Sequence, residues 1–513
     1  MATDSLHIAD HVYDAVVVGA GPSGLTTATA MARAGASVLV VDKHPGLSRF
    51  PKATGLRPRT VEILRTWGLE KAVLDRSQDV QLSMRVTPML TVPGTELPMG
   101  LPTEAELAPV TPSRIAVCPQ DRLEAVLLDH LLDRGGEVRF DTSFEGLDED
   151  DEGVTVALRT STGATQVRAG YVVAADGARS SVRDQVGIRS IQLGSEGTHL
   201  SALFAADLST VVPDCPHVLT MTVAPGLEGM FVATGEAERW IYDIEWHPEN
   251  GESLDEWTPA RFAARIRAAA GVPDLEVAIL GLFPWDFGAA VAERQRCGRV
   301  FLVGDSAHRT TPRGATGMNT GIADGHNLGW KLAWVARGWA DPQLLDSYEE
   351  ERAGVGRANA EASLTTSVGA PPADSLAHDF GVILDSSVVT GTGSLVGHRA
   401  PHVWIGDDRS TIDMFDGRLT VLTGHDGHQW REACAGLALT GLPITCVTLG
   451  RELEDINGAV AAAYALRPQD CMLVRADGFV AWASEEGDAT GGASLRHAVG
   501  ASVGRRSLVC SSP

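Results

Sequence analysis

Hydrophobic positions along this chain fall into short continuous runs and into longer stretches with one apolar face, a pattern typical of strands and helices in an α/β protein. An apolar run at residues 14–18 is followed by a glycine-rich turn, an alanine-rich helical stretch at 25–34 and a second apolar run at 37–41. A later apolar run ends at Asp305, ahead of a long helix that opens near Met318. The pattern predicts two strand–turn–helix units, each with a helix N-terminus that can receive a ligand.

Between these two units the pattern changes to short alternating runs with polar breaks, followed by a helix-like segment at 258–270. This predicts an antiparallel sheet with a covering helix, inserted into the first unit and forming a ligand cleft at the junction. The runs lie at residues 199–206, 217–223, 229–234 and 239–245. The aromatic residues Trp240, Tyr242 and Trp285 are candidates to line a substrate pocket; packing in the core of the sheet is the alternative.

The turn at residues 19–24, GAGPSG, has the G-x-G-x-x-G spacing that lets a backbone approach a pyrophosphate closely. It follows an apolar run and opens a helix, and Asp42 ends the next run about 20 positions on, where an acidic residue binds a ribose. An acidic residue there favours an unphosphorylated adenosine ribose, as in FAD or NAD. The predicted contacts are Gly19, Gly21, Pro22, Ser23, Gly24 and Asp42.

The second unit offers a carboxylate at a strand end and a glycine-punctuated loop before its helix. The carboxylate of Asp305 can accept hydrogen bonds from hydroxyls, while the helix N–H groups and dipole stabilise negative charge. Together the two units predict the two ends of one FAD. The predicted contacts here are Asp305, Pro312, Gly314, Gly317, Met318 and Asn319.

Composition narrows the class of protein. A length of 513 residues predicts two or three domains, and a hydrophobic share of 44% is ordinary for a globular protein. The formal net charge of −24 argues against partners such as nucleic acid or an anionic membrane surface. No segment has the pattern of a signal peptide or a transmembrane helix, and the cysteines show neither C-x-x-C nor metal-ligand spacing. We therefore expect a cytoplasmic protein with reduced thiols and no metal site.

A third motif, D-G-x-x-S-x-x-R at residues 176–183, follows an apolar run between the two units. In isolation an ordinary Asp-Gly turn also accounts for it. After the glycine-rich turn and before G-D-x-x-H-x-x-x-P at 304–312, it resembles the single-component class A flavoprotein aromatic hydroxylases. Residues 51–69, 115–131 and 341–357 extend that resemblance, which covers about the first 360 residues.

The resemblance implies further cofactor contacts. Asp176 and Arg183 belong to a segment that the family associates with both FAD and the nicotinamide cofactor. Lys52 stands where the family usually has an arginine, and Gln120 stands where a glutamine reaches the FAD phosphates; a polar residue at a helix N-terminus is the alternative for Gln120. The electron donor is NADPH or NADH. With Asp42 engaged by FAD, the cations Lys43, Lys52 and Arg183 favour NADPH.

The expected fold is α/β and α+β, in three domains. A discontinuous Rossmann-like FAD-binding domain of the para-hydroxybenzoate hydroxylase type spans 1–75, 113–187 and 286–395, and a substrate-binding β-sheet domain spans 76–112 and 188–285. Residues 396–513 resemble a thioredoxin fold, as in phenol and polyketide-tailoring members of the family. Because this domain lacks C-x-x-C, we expect a structural or oligomerising role, with a homodimer as one outcome.

The resemblance implies an FAD-dependent monooxygenase that uses NAD(P)H and O₂ to hydroxylate a phenolic, polycyclic, polyketide-like substrate through a flavin C4a-hydroperoxide. The candidate catalytic residues are Pro312, Arg313 and His308. Pro312 would wall the reactive face and Arg313 would lie near the ring, with no assigned role. His308 would be a general base, although the family uses its position mainly to support the loop. The motifs alone do not distinguish hydroxylation from Baeyer–Villiger-type oxygen insertion. The alternatives are a non-oxygenating flavin reductase or dehydrogenase of this fold, and a non-catalytic flavin-binding protein that sequesters an intermediate.

Overall fold

A mostly parallel central sheet carries both strand–turn–helix units. The computed structural model describes residues 8–236, 238–365, 375–486, 488 and 491–505. The C-terminal parts of the two central strands, residues 15–18 and 171–174, are buried on both faces, which explains their continuous apolar sequences. In spatial order the strands are Arg296–Cys297, Val300–Leu302, Gly163–Ala174, Ile8–Val18, Val38–Val41 and Glu137–Arg139, and the hairpin Ser143–Asp150 and Gly153–Thr160 pairs with the third of them.

Two helices pack closely on this sheet and bring both predicted ligand sites side by side. Helix Pro22–Arg33 lies against helix Gly317–Ala336, whose glycines form the contact. A Cβ added at Gly325 would lie 2.7 Å from the carbonyl oxygen of Ser23, and one at Gly329 would lie 2.6 Å from the Cβ of Ala30. Glycine is therefore needed at both positions for the helices to come this close.

The inserted segment forms a second, mostly antiparallel sheet, which we call the inserted sheet. Helix Pro259–Ala270 covers one of its faces, as the sequence predicts. The four predicted runs correspond to four inner strands of this sheet, and their boundaries agree to within two residues with one exception. The first strand begins at Ser190, earlier than the predicted start at residue 199. In spatial order the strands are His308–Arg309, Ala278–Ala292, Ser190–Ala205, Arg239–Trp246, Gly229–Glu236, His217–Thr222, Gln81–Thr87 and Thr95–Pro98.

The C-terminal region has its own four-stranded sheet. Strand Leu419–Thr423 pairs parallel with Ile444–Thr448 and antiparallel with Cys471–Val474, which forms a hairpin with Val480–Ala483. Helices His428–Ala438 and Gly492–Ser502 pack on this sheet. A parallel βαβ unit followed by a hairpin and a helix is the thioredoxin-like pattern, so the predicted fold class is confirmed.

The remaining helices lie between the strands of these sheets along the chain. Strands Gly55–Leu56 and Ala116–Val117 also form a small separate pair. None of the described helices is both long and apolar enough to cross a membrane. The connecting helices are Pro58–Thr66, Glu70–Leu74, Glu104–Leu107, Gln120–Asp133, Ser181–Gln185, Ser347–Thr365, Ser375–Phe380 and Ala459–Ala463.

Candidate cofactor and substrate site

The glycine-rich turn contains two glycines that the protein itself requires and one that faces open space. A Cβ on Gly19, which has a φ of +112°, would lie 2.2 Å from the carbonyl oxygen of Ala175. A Cβ on Gly24 would lie 2.0 Å from the carbonyl oxygen of Gly19. A Cβ on Gly21 would have no atom of the described residues within 4 Å. Free space at the N-terminus of helix Pro22–Arg33 is what a pyrophosphate needs, so this turn fits FAD.

Ser23 and Asp42 shape the surroundings of this turn. Pro22 takes the first helical position. The Ser23 hydroxyl packs closely against Gly304, since a Cβ added at Gly304 would lie only 2.2 Å from it. The Asp42 carboxylate accepts hydrogen bonds from the amides of Ala20 at 2.8 Å and His44 at 2.9 Å. Ser23 therefore joins the two ligand sites, and Asp42 is held beside the glycines.

Asp305 lies at the floor of the second site, in the turn Gly304–Ser306. Its carboxylate makes no hydrogen bond to any residue that the structure describes, and it is open to solvent on one side. Protein on the other sides desolvates the carboxyl and raises its pKa, an effect that nearby cations such as His308 and Lys52 oppose. A half-enclosed carboxylate without protein donors fits the hydroxyls of a polyol, as in the ribityl chain of FAD.

A buried network fixes the Gly304–Ser306 turn from behind. The Asp324 carboxylate accepts hydrogen bonds from the Gly304 amide at 3.1 Å, His308 Nε2 at 2.5 Å and Arg352 Nε at 2.8 Å. Burial alone would raise the pKa of Asp324, but His308 and Arg352 lower it to about 2. His308 is 1% exposed. His308 therefore supports the turn, the role that the family resemblance implies for this position, and its burial argues against the alternative role as a general base.

The loop before helix Gly317–Ala336 exposes Pro312. Gly314 has a φ of +77°, and its carbonyl oxygen accepts a hydrogen bond from Arg57 Nη1 at 3.1 Å. The first hydrogen bond of the helix runs from the Thr320 amide to the Thr316 carbonyl at 2.8 Å. The preceding amides have no acceptor within the helix and are available to a ligand. They belong to Gly317, Met318 and Asn319.

The side chain of Asn319 is used within the protein. Its Oδ1 accepts a hydrogen bond from the Arg57 amide at 2.9 Å, and its Nδ2 donates to the carbonyl oxygens of Gly55 at 2.9 Å and Ala315 at 2.7 Å. Asn319 therefore ties the start of this helix to the strand Gly55–Leu56. Only its main-chain amide remains for the predicted cofactor contact.

The Asp-Gly segment is joined to the second site. Asp176 Oδ2 accepts hydrogen bonds from the Ser181 hydroxyl and the Val182 amide, both at 3.2 Å. Arg183 is buried and its Nη1 donates to the carbonyl oxygens of Ala178 at 3.1 Å and Ser306 at 3.2 Å. Through these contacts Arg183 links two loops of the site, and its predicted association with the cofactors stays a prediction.

Gln120 begins helix Gln120–Asp133 and its amide donates to Glu124 Oε1 at 2.7 Å. Glu124 also accepts a hydrogen bond from the Ser48 amide at 3.1 Å. Burial raises the pKa of the Glu124 carboxyl to about 7, although these hydrogen bonds and Lys52 act in the opposite direction. Lys43 and Lys52 are both exposed, and their ammonium groups make no hydrogen bond to the described part of the chain. They remain available to a phosphate-bearing ligand.

The inserted sheet turns an apolar face toward this site. Phe283 packs against Phe50 with ring centroids 5.0 Å apart, so the face that carries Phe283 lies on the side of the cofactor units. Strand register assigns the other residues to that face, because directly paired residues point to the same side. They include Leu203, Leu219, Met221, Met230, Val232 and Ile241, several of them only half-buried.

Trp240 and Tyr242 lie on the opposite face. Tyr242 is fully buried and packs against Phe231 and Phe262, which belongs to the covering helix. Trp240 belongs to the same core. The prediction that these two residues line the substrate pocket is therefore wrong: in a strand, alternate residues face opposite sides, and theirs is the helix side. Trp285 lies on the pocket side, where it pairs with His199.

One polar cluster interrupts the apolar face, and we call it the His199 cluster. It consists of His199, Ser201, Asp243 and Trp285. Next to it, Arg313 of the cofactor loop binds Glu196 through Nη1 at 2.6 Å and lies over the Phe287 ring, 5.0 Å from its centroid. The contacts of Arg313 connect the cofactor loop to the inserted sheet.

Comparison with known families identifies the chain. A model of the FAD-binding domain matches residues 12–363, and a model of the C-terminal domain of aromatic-ring hydroxylases matches residues 393–505. The chain belongs to the FAD-dependent aromatic-ring hydroxylases. The predicted family is therefore confirmed, and Gly21 and Asp305 both lie within the residues matched by the FAD-binding model.

Similar proteins match this hydroxylase over nearly its whole length. A putative polyketide hydroxylase of Streptomyces halstedii is 35% identical over 93% of this chain and 94% of its own. The aklavinone 12-hydroxylase of Streptomyces purpurascens is 35% identical over 95% of this chain and 98% of its own. A crystal structure of aklavinone-11 hydroxylase with FAD and aklavinone is 32% identical, with a TM-score of 0.88, and covers 97% of this chain and 100% of that one.

Several residues that shape the site of this hydroxylase were missed by the sequence analysis. Asp324 and Arg352 hold the Asp305 turn, Glu124 lies beneath Gln120, and Asp243 organises the His199 cluster. Asp324, Arg352 and Asp243 bind partners that are distant in sequence, and Glu124 lies within a helix that carries no recognisable motif. A charged residue inside an otherwise apolar stretch, such as Asp243 in the run 239–245, was the one signal available.

Proposed function

We propose that this hydroxylase inserts one oxygen atom of O₂ into a polycyclic, phenolic substrate of the polyketide type, with FAD as cofactor and NADPH or NADH as electron donor. The observation that supports this most strongly is the apolar face of the inserted sheet beside the cofactor loop. A large neutral ring system binds mainly through apolar contact area and a few hydrogen bonds. Similar proteins are named as hydroxylases of aklavinone, and one similar structure holds both FAD and aklavinone.

The charges of the pocket face support a neutral substrate. Along residues 217–245 the chain has one Arg or Lys, Arg239, and its guanidinium binds Asp121 at 2.9 Å and the carbonyl oxygen of Arg49. Recognition of a carboxylate substrate requires a buried cation directed at it. Because Arg239 is already paired, we assign the pocket to phenols without a carboxylate clamp.

The adenosine side of the cofactor is assigned to the first unit. Space in front of Gly21 would receive the pyrophosphate, and the remaining acceptor capacity of Asp42 would bind the ribose. When bound, FAD supplies the transfer of electrons and the activation of O₂. The protein's contribution is therefore binding, orientation and exclusion of water.

The flavin side is assigned to the second unit. Asp305 would accept hydrogen bonds from the ribityl hydroxyls, and the free amides at Gly317, Met318 and Asn319 would stabilise negative charge on the ring system. The exposed ring of Pro312 and the aromatic face around Phe283 would keep water from the reaction. Each of these roles is assigned to a polar group without a hydrogen-bond partner among the described residues or to a side chain that lines the cleft.

We infer NADPH as the preferred donor. The Asp42 carboxylate binds the Ala20 amide of the glycine-rich turn, and Lys43 and Lys52 are exposed cations whose ammonium groups make no hydrogen bond to the described residues. A 2′-phosphate adds negative charge that such lysines attract. Flavin reduction rates should therefore be higher with NADPH than with NADH, and Lys52→Gln should reduce the difference. Equal rates with both donors in the unchanged protein would contradict this inference.

The activity is tested with the purified, FAD-loaded protein and a panel of tricyclic and tetracyclic phenols. Consumption of NADPH and release of H₂O₂ are followed with and without each compound. A substrate should accelerate NADPH consumption while the fraction of electrons lost as H₂O₂ falls. NADPH consumption with no dependence on any phenol, or complete recovery of the electrons as H₂O₂, would contradict the proposal.

A further inference from the structure

The His199 cluster places a buried carboxylate in an otherwise apolar pocket wall. Asp243 is 5% exposed and accepts three hydrogen bonds. Its Oδ1 lies 2.5 Å from the Ser201 hydroxyl and 3.1 Å from Trp285 Nε1, and its Oδ2 lies 2.6 Å from His199 Nδ1. An unpaired carboxylate in such a place is costly, whereas this one is satisfied by its neighbours.

The donors in this cluster determine which nitrogen of His199 carries the proton. Trp285 Nε1 can only donate a hydrogen bond, and with the Ser201 hydroxyl it occupies Oδ1 of Asp243. Oδ2 is left to accept a hydrogen bond from His199 Nδ1–H. In the neutral ring, Nε2 is then the nitrogen with a lone pair. His199 Nε2 forms no hydrogen bond within the described ranges, and the side chain is 20% exposed.

The imidazole lies close to the loop assigned to the flavin. The ring of His199 contacts Trp285 and Phe287, with centroid distances of 4.9 and 5.1 Å. Phe287 in turn lies under Arg313, the residue that follows Pro312. A basic nitrogen is therefore open to the cleft between the inserted sheet and the cofactor loop, and two aromatic rings hold its orientation.

We propose that His199 is the base that removes a proton from a phenolic hydroxyl of the substrate, with Asp243 as its positioning residue. This inference rests on the proposed function. The O–H bond of the phenol breaks, its electron pair remains on the oxygen, and the proton forms an N–H bond at Nε2. Asp243 stabilises the resulting imidazolium, and the proton leaves to solvent or returns to the product. The phenolate ring is more electron-rich than the phenol and therefore reacts faster with an electrophilic oxygen.

Other charged groups also lie near His199. Glu245 lies directly opposite His199 on the adjacent strand, and Asp286 lies next to Trp285 on strand Ala278–Ala292. On the loop side, Arg313 forms an ion pair with Glu196, and Arg309 forms one with Asp286. The test must therefore compare variants at the same pH values instead of using one pH profile alone.

The direct test measures ionisation of a bound phenol. Alizarin, a tricyclic phenol whose visible spectrum changes when it ionises, is titrated with pH on the FAD-loaded protein without an electron donor. In the unchanged protein the bound dye should ionise at least one pH unit below its value in His199→Gln. In Asp243→Asn the bound dye should ionise at a pH between the values for the unchanged protein and for His199→Gln. His247→Gln, which alters an exposed histidine paired with Glu249, is the matched control and should behave as the unchanged protein.

Turnover provides a second readout that a purely structural histidine would not affect. At pH 7, His199→Gln should lower the hydroxylation rate by about 10²- to 10⁴-fold, as expected for loss of a general base, with part of the rate recovered at higher pH. FAD content should remain unchanged. If the glutamine variant does not fold, His199→Asn serves instead, because its amide can still donate to Asp243.

Equal ionisation of bound alizarin and equal hydroxylation rates in the unchanged protein and the His199 variants would overturn this inference while leaving the proposed function intact. If the unchanged protein neither binds alizarin nor oxygenates any polycyclic phenol, the proposed function fails and this inference fails with it.

Discussion

Arg475 and Glu351 form a fully buried ion pair with two hydrogen bonds, 2.5 Å from Nη1 to Oε1 and 2.9 Å from Nη2 to Oε2. Glu351 belongs to helix Ser347–Thr365 and Arg475 follows a strand of the C-terminal sheet. Lys331 also binds Glu351, at 2.8 Å, and Asp477 binds Arg475. This network attaches the C-terminal region to the FAD-binding unit.

Replacing Glu351 by alanine should destabilise the protein by about 3–5 kcal/mol, because two buried cations would lose their shared carboxylate. The measurement is denaturant unfolding of the FAD-loaded protein. Glu361→Ala is the control: this residue lies on the same helix but is exposed, with a surface pair to Arg357 worth less than about 1 kcal/mol. Similar losses for the two variants would show that the buried network does not hold the domains together.

Gly21 and Gly24 should respond differently to alanine. Gly24→Ala forces a Cβ against the backbone of Gly19, so we expect lower stability even without FAD. Gly21→Ala meets no protein atom in the described structure, so the FAD-free protein should keep its melting temperature while FAD affinity falls at least tenfold. Fluorescence titration with FAD and thermal melting of the FAD-free protein measure the two effects. Unchanged FAD affinity in Gly21→Ala would place the pyrophosphate elsewhere.

Asp305→Ala should weaken FAD binding by roughly 10- to 150-fold, which corresponds to the loss of about 1.5–3 kcal/mol for hydrogen bonds to a charged acceptor. The folded protein should tolerate this change, because the carboxylate has no partner within the described part of the chain. Asp274→Ala, at an exposed residue of a loop in the inserted segment, is the matched control. Equal FAD dissociation constants for both variants would refute the assignment of Asp305 to the ribityl chain.

Glu124 predicts a pH dependence of stability. Burial raises the pKa of its carboxyl from 4.5 to about 7, so the folded protein favours the protonated form. Its contribution is fully present below pH 4.5 and is lost as the pH rises toward and beyond 7, by at most roughly 3 kcal/mol. Relative to the unchanged protein, Glu124→Gln should therefore become more stable between pH 4.5 and 8. Thermal melting across this range tests it. Exposed Glu104→Gln should show no such trend, and a flat difference for Glu124→Gln would contradict the account.

The sequence predicted the parts of the site that depend on local order. The turn at Gly21, the strand end at Asp305 and the helix start at Gly317 each combine a strand, a glycine and a helix within a few residues. Their geometry follows from backbone requirements that glycine spacing reveals. The fold class and the family could be predicted from the sequence for the same reason, because both predictions rest on these local motifs.

What the sequence could not predict depends on packing between distant segments. His308 belongs to a recognisable motif, yet Asp324 and Arg352, which bury it, come from two later helices. Tyr242 and Asp243 are neighbours in one strand, and sheet register sends the first to the core and the second to the pocket. The His199 cluster joins residues up to 86 positions apart, so no local pattern could reveal it.

The most direct test of the central claim is mass spectrometry of product formed under ¹⁸O₂ by the FAD-loaded protein with NADPH and a polycyclic phenol. The account predicts a product heavier than the substrate by one ¹⁸O atom, formed at a rate that Asp305→Ala reduces and that added FAD restores. A product without ¹⁸O, formed while NADPH is consumed in proportion to substrate, would contradict oxygen insertion and replace it with a redox reaction that does not use O₂ as the oxygen source.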